Sequence, residues 1–365
     1  VFLGIFPVIP KAQLRAENKS FVFSILSFIS FLFQIGLAIV FVAILHMKVE
    51  GVLAARVGAA TASAFLFIFV IRKRLMFRFS LKKIKDMLSY SVYLVPVSIG
   101  SLILIMSNRY FILLFRGSEE LGIFSVGNKI ASVVLLGVTA FQLAWPSIMF
   151  RLKKLPNAKV YYSKVFTYYI LVFSYFVLVL SLFSKEFILL LTNEGYSSAV
   201  LIIPIISSGY FFYGLFYSGI VGITIFKKTY FQTIAMGVGA LVCVLLTYLL
   251  TPTYGIIGAA IALAVSFAVL AFLGIYFSQR IYSFGIEVNR LLKVIIVFSL
   301  IMLLNLYGGL HDVSLSMILL KLFILVALYP LFLYLFNFFT QEEVTIIFSR
   351  IRNIRLNRRR RSNSQ

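Results

Sequence analysis

The stretch FKKTYFQTIAMGVGALVCVLLTYLLTPTYGIIGAAIALAVSFAVLAFLGIYFSQR, Phe226 to Arg280, decides the fold. Cations open and close it, and between them run two apolar segments, about 230–250 and 255–278, parted by a short turn holding Pro252 and Gly255. Each segment has the roughly 20 residues that a helix needs to cross about 30 Å of hydrocarbon. The alternation of a membrane barrel strand is missing. The same plan runs the length of the chain, with further spans near 21–45, 51–71, 87–107, 121–149, 162–183, 198–226, 289–309 and 315–339. That makes ten complete spans after a partial one, "VFLGIFPVIP", which begins in mid-run, so the sequence is expected to be a fragment lacking its true N-terminus. Hydrophobic residues make up 62% of the chain and charged ones 12%, against about a quarter charged in a soluble domain. The fold class is all-α, a polytopic integral membrane protein.

Basic residues give the orientation. Loops on the cytoplasmic side carry an excess of Lys and Arg. Every second connection here is basic: "KAQLRAENKS", "RKRLMFRFSLKKIKD", 151–164, "FKK", 280–293 and the tail after Thr340 hold 27 of the 34 Lys and Arg residues. The alternate connections hold Lys48, Arg109, Arg116 and Lys185, which leaves Arg56, Lys129 and Lys321 inside spans. The 27-residue face and the C-terminus are therefore expected in the cytoplasm. The net charge of +23 follows loop position and is read as topology, not as a nucleic-acid footprint. "RRRR" in the tail exceeds what orientation needs; a solvated end and attraction to anionic headgroups are both open there.

A second pattern is an internal echo. The segment from "NKSFVFSILSF" to "VEGVLAARVGAATASAFLFIFVIRKR" resembles the one from "FKKTYFQTIAM" to "TYGIIGAAIALAVSFAVLAFLGIYFSQR". Repeated bundles are a common plan in secondary transporters, and small residues let their helices approach closely. With Gly51 aligned on Gly255, Arg56 falls where the second copy has Ala260.

Chemistry for catalysis is missing. Neither a nucleophile–base set nor a phosphate-binding loop stands out, and an enzyme is not expected. A lone Cys243 and two distant histidines, His46 and His311, argue against a metal site, and no cofactor is expected. All 11 acidic residues lie in loops or at span ends, so a cation-binding carboxylate in mid-membrane is not found. The intramembrane charges are basic instead. Arg56, Lys129 and Lys321 each lie near a span end, where long side chains snorkel to the interface. For Lys321 that reading is preferred. For Arg56 and Lys129 a protein-facing role is equally open, because Ala55, Gly58, Gly127 and Asn128 are small or polar neighbours. Arg109 and Arg116, in "SNRYFILLFRGSEELGIF", are either solvated or set in the wall of a cavity. Arg56, Arg109, Arg116, Asn128 and Lys129 form the candidate substrate-binding set. Arginine binds phosphate through a bidentate fork and lysine through a point charge, so the expected ligand is anionic and amphiphilic.

The order of motifs resembles the Wzx-type oligosaccharide-lipid flippases of bacterial polysaccharide biosynthesis, within the multidrug/oligosaccharidyl-lipid/polysaccharide exporter superfamily. The likeness rests on "LRAENKS", "YSVYLVPVSIGSLIL", "NRYFI", "LGIFSVGNKIA", "AWPSIMF", "NEGYSSAVLIIPIISSGYFFYG" and "YGIIGAAIA". One departure is Asn108, where the family commonly has an acid before the arginine of "NRYFI". The resemblance implies two helical lobes plus two extra helices: 1–86 the later half of lobe one, 87–280 lobe two, 281–340 the extra pair, and 341–365 a basic cytoplasmic tail. It implies export of a polyprenyl-pyrophosphate-linked oligosaccharide across the bacterial plasma membrane, for O-antigen, capsule or similar glycan. The pyrophosphate would meet Arg56, Arg109 and Lys129, and Tyr210, Tyr213 and Tyr217 are candidates to stack on sugars. Partners would be that lipid-linked oligosaccharide, membrane lipids, and a glycan polymerase or glycosyltransferases, with no nucleic acid. A lipid II flippase, a multidrug cation antiporter and a non-transporting scaffold for glycan-assembly enzymes are the alternatives.

Overall fold

The computed structural model describes residues 7–17, 19–72, 80–307 and 313–339, and within them every regular element is a helix. The basic tail 341–365, His311, the opening run 1–6 and residues 73–79 of the second basic connection lie outside the described residues. An all-helical chain follows from its solvent, because hydrocarbon offers no partner to a backbone N–H or C=O and a helix satisfies both internally. Among the described residues, eight helices are long and apolar enough to cross a membrane. Two exceed one crossing: Ile84–Leu152 and Tyr230–Ile281, the latter 52 residues and so about 78 Å at 1.5 Å per residue. The chain divides into two units at Lys85.

In the first unit, α1 (Val8–Ala16) precedes α2 (Ser20–Ile39), which runs on as a π turn over Val40–Ile44, and α3 (Lys48–Ile71). His46 and Lys48 take left-handed φ values of 52° and 44°, turning the chain so that α3 packs on α2. Gly51 fits because a Cβ there would stand 3.0 Å from the Phe41 carbonyl.

The second unit takes up α4 (Leu81–Ser91, which straddles the division), α5 (Leu94–Leu152), α6 (Ala158–Leu182), the short α7 (Ser184–Leu191), a 3-10 turn, α8 (Ile202–Gly219), α9 (Val221–Ile225) and α10 (Tyr230–Ile281). Then come α11 (Val288–Tyr307), α12 (Leu315–Phe323), a π turn and α13 (Tyr329–Leu335). Both long helices are broken by a glycine: Gly117 in α5 has φ 84° and Gly255 in α10 has φ 56°. Past Gly255 the chain doubles back, for Gly239 faces Leu270, where a Cβ would sit 3.2 Å from the Leu270 Cβ. Small residues set the separation of neighbours. Gly209 on α8 lies against the Ala264 backbone of α10, with 3.2 Å from its would-be Cβ to the Ala264 Cα. The core of this unit is α10 packed on α5 and α8, with Phe216, Phe267 and Ala259 fully buried.

The last helices are stitched to α6 along its length. Ser163 donates to the Gly285 carbonyl (2.6 Å), Thr167 to Glu287 Oε2 (2.7 Å), Tyr329 to the Leu171 carbonyl (3.3 Å) and Asn305 to the Ser181 carbonyl (3.5 Å). The final stitch corrects the snorkelling account of Lys321. Its side chain is 1% exposed and its Nζ lies 2.5 Å from Glu186 Oε1 on α7, with the Phe183 ring 5.8 Å away. A lysine that finds a carboxylate beside its helix has no reason to reach for water.

Candidate functional site

The candidate residues of the second unit lie on both sides of the break in α5. Arg109 precedes Gly117 by eight residues and Asn128 follows it by eleven. Straight helix would hold them nearly 30 Å apart at 1.5 Å per residue. Beyond the break, Asn128 meets Tyr210 of α8, whose hydroxyl donates to Asn128 Oδ1 at 2.7 Å. Arg109 and Lys129 are exposed. Among the described residues, neither has an acidic partner within ion-pair distance. Asn128 is held by a buried tyrosine, and Lys129 follows it on the same turn with its side chain clear of the core.

Asn108, the departure noted in the sequence, belongs to a polar knot that sequence reading missed. It is 1% exposed, and its Oδ1 accepts from Thr247 Oγ1 at 2.7 Å. Cys243 lies between, 3.3 Å from Ser107 Oγ and 3.9 Å from Asn108 Oδ1. The knot joins α5 to α10 directly behind Arg109. An amide serves where an acid would need a counter-charge, so Arg109 is not drawn back toward its neighbour. The spacing of Cys243 and Thr247, one helical turn apart, was the only signal in the sequence.

Arg116 has another occupation. Its Nε donates to the Thr251 carbonyl (3.2 Å), its Nη2 to the Thr253 carbonyl (3.3 Å), and Glu120 Oε1 lies 3.9 Å away. These carbonyls end the first half of α10 just before Gly255, where the break removes their helical donors. A guanidinium at a helix C-terminus meets both orphan carbonyls and the negative end of the dipole. The two glycine breaks are thus joined: a Cβ on Gly255 would stand 2.8 Å from Glu120 Oε2.

The tyrosines face inward. Tyr210 and Tyr213 are 3% and 8% exposed and lie against Phe267, with centroids 6.2 and 4.9 Å away. The Tyr213 and Tyr217 hydroxyls are 3.3 Å apart. Arg56 is exposed on α3 of the first unit, two residues before Gly58, whose would-be Cβ meets Leu37 of α2. No cluster of three or more metal-ligating side chains occurs among the described residues.

Residues 13–153 match the family model described as polysaccharide biosynthesis protein. Two solved structures share the fold. A crystal structure of a MATE point mutant aligns with TM-score 0.55 at 16% identity, covering 78% of this chain and 67% of that one. The lipid II flippase MurJ, in an inward closed conformation, aligns with TM-score 0.50 at 15% identity, covering 82% and 65%. The chain thus spans about two thirds of the length of each. No curated protein matches it. The family match and the shared fold support the resemblance read from the motifs. This is a multi-pass membrane protein that shares its fold with those two structures.

Proposed function

We propose that the protein moves a polyprenyl-pyrophosphate-linked oligosaccharide across the bacterial plasma membrane by alternating access, for assembly of a surface polysaccharide such as O-antigen or capsule. The carrying observation is the pair of exposed cations, Arg109 and Lys129, without a carboxylate partner among the described residues, with Lys129 next in sequence to Asn128, whose Oδ1 is held by Tyr210. A diphosphate needs charge compensation to enter a region of low dielectric, where an uncompensated ion is costly. Arg109 supplies a fork and Lys129 a point charge, while Asn128 keeps its amide N–H groups for a sugar or phosphate oxygen because its Oδ1 is taken by Tyr210. Neither cation must first leave an internal acid, so the ligand competes only with water. Arg116 is assigned to holding the two breaks together, and Arg56 is a separate candidate in the first unit. Tyr210 positions Asn128 through its hydroxyl.

The test is surface glycan display in a strain that needs the gene. Arg109→Ala and Lys129→Ala, each present in the membrane at normal levels, should abolish or sharply reduce display, with lipid-linked oligosaccharide accumulating on the cytoplasmic leaflet. Full display by both would remove the proposal. Likeness to a lipid II flippase favours a second substrate within the same site chemistry. Accumulation of lipid II instead of the oligosaccharide carrier in the deletion strain would select it.

A further inference from the structure

On the basic side of the second unit, three connections meet on one pair of rings. Phe226, at the end of α9, and Tyr282, at the end of α10, have centroids 5.8 Å apart. Lys153, following α5, holds its Nζ 5.9 Å from the Phe226 ring, and Lys159, opening α6, holds its Nζ 5.2 Å from Tyr282. Lys227 and Lys228 come directly after Phe226 in a tight turn: Lys227 has φ 56° and the Lys228 N–H bonds the Ile223 carbonyl at 2.9 Å. The convergence is built into the backbone. The Gly222 N–H donates to Ser278 Oγ at 2.9 Å, and a Cβ on Gly222 would stand 2.5 Å from the Ser278 carbonyl, so only glycine lets α9 and α10 close here. Tyr162 completes the floor with its ring 6.2 Å from Tyr282.

Among the described residues, no acid lies within ion-pair distance of these lysines. Residues 151–164, 222–233 and 275–286 contain no Asp or Glu. The next carboxylate, Glu287, is engaged by Thr167 and Arg290. Orientation in the membrane asks for cations on this side but not for a shared ring pair that holds two ammonium groups in place. Phe226 is 50% exposed, with Lys153 by its ring and Lys227 and Lys228 following it in sequence, at the level where spans end. A ring between ammonium groups is amphipathic in the way of membrane-interface anchors.

We propose that this lysine–aromatic cluster is a binding site for the phosphate headgroups of anionic phospholipids in the adjoining leaflet, with Lys153, Lys159, Lys227 and Lys228 as ligands and Phe226 set among the acyl carbons below them. A lipid fits better than an acidic protein, because the cations stand at span ends beside an exposed ring. The site is independent of the transported substrate.

The experiment uses the full chain in nanodiscs of phosphatidylcholine with phosphatidylglycerol, and native mass spectrometry to count each lipid retained. Several-fold enrichment of phosphatidylglycerol is expected for the wild type. Lys227→Gln/Lys228→Gln should remove most of that enrichment. Lys82→Gln/Lys85→Gln takes the same charge from exposed α4 positions assigned to the same side, and should keep it. Absence of enrichment in the wild type, or an equal loss in the two doubles, would overturn the site. If the first double does not insert, Lys153→Gln/Lys159→Gln gives the same reading from the connection between α5 and α6. Loss of enrichment on adding soluble pyrophosphate, at constant ionic strength, would assign the cluster to a free diphosphate and overturn the lipid.

Discussion

Lys129 and Lys321 are two lysines set in apolar helices, and the structure gives them opposite surroundings. Lys321 is 1% exposed and paired with Glu186, whose side chain is 14% exposed. Lys129 is exposed, and its neighbour Asn128 bonds a tyrosine, not an acid. A buried ammonium must have a counter-charge, because each ion loses several kcal/mol of hydration on burial. An exposed one needs none, and keeps its charge available to a ligand. The first lysine therefore holds α12 to the α6–α7 corner, and the second is free to act. What separates structure from function here is the location of the nearest carboxylate.

The sharpest way to break this contrast is to remove one partner of the buried pair. Lys321→Ala leaves Glu186 without its cation and should lower unfolding stability by about 3 kcal/mol, toward the low end for a buried pair because Glu186 is partly exposed. Thermal unfolding in detergent measures it, and Lys321→Met combined with Glu186→Leu should recover most of the loss. An unchanged midpoint for Lys321→Ala would make the two lysines equivalent.

Gly255→Ala comes next. The substitution asks alanine to take φ 56° and places a Cβ 2.8 Å from Glu120 Oε2, a strain of roughly 1–3 kcal/mol. The same unfolding assay should show a lower midpoint, and a wild-type midpoint would mean that the break tolerates a side chain.

Arg116→Ala strips two carbonyls of a charged donor, but with the side chain 32% exposed water replaces part of the loss. About 1 kcal/mol is expected, read from the unfolding midpoint. Transport should decline only as far as folded protein does. Transport lost at full stability would return Arg116 to the substrate site.

The smallest stability effects belong to the exposed pair. Arg109→Ala and Lys129→Ala should each change stability by less than about 0.5 kcal/mol while eliminating glycan display. A large fall in the midpoint of either would show that the residue is structural after all.

Much of this was legible in the sequence. Apolar segments of membrane-spanning length, the basic turns between them and the glycine-centred turn at Gly255 sufficed for an all-helical membrane protein, because hydrocarbon thickness and backbone hydrogen bonding leave a chain of this composition few options. Asn108 was visible as an oddity, though its partner Thr247 lies 139 residues away and no local pattern links them. Glu186 has the look of an ordinary span-end acid, yet Lys321, 135 residues on, lies against it. Both contacts join helices that are distant in sequence, and local periodicity carries no information about which face meets which.

The sequence by itself determined that helices form and which residues carry charge. Those properties depend on segment length and side-chain chemistry alone. The tertiary structure decided which charges are already answered. It gave Lys321 to Glu186 and Arg116 to the carbonyls before Gly255, and among the described residues it left Arg109, and Lys129 next to Asn128, without an acid. A cation's role depends on what stands within a few ångströms of it, and in a helical bundle those neighbours come from other helices.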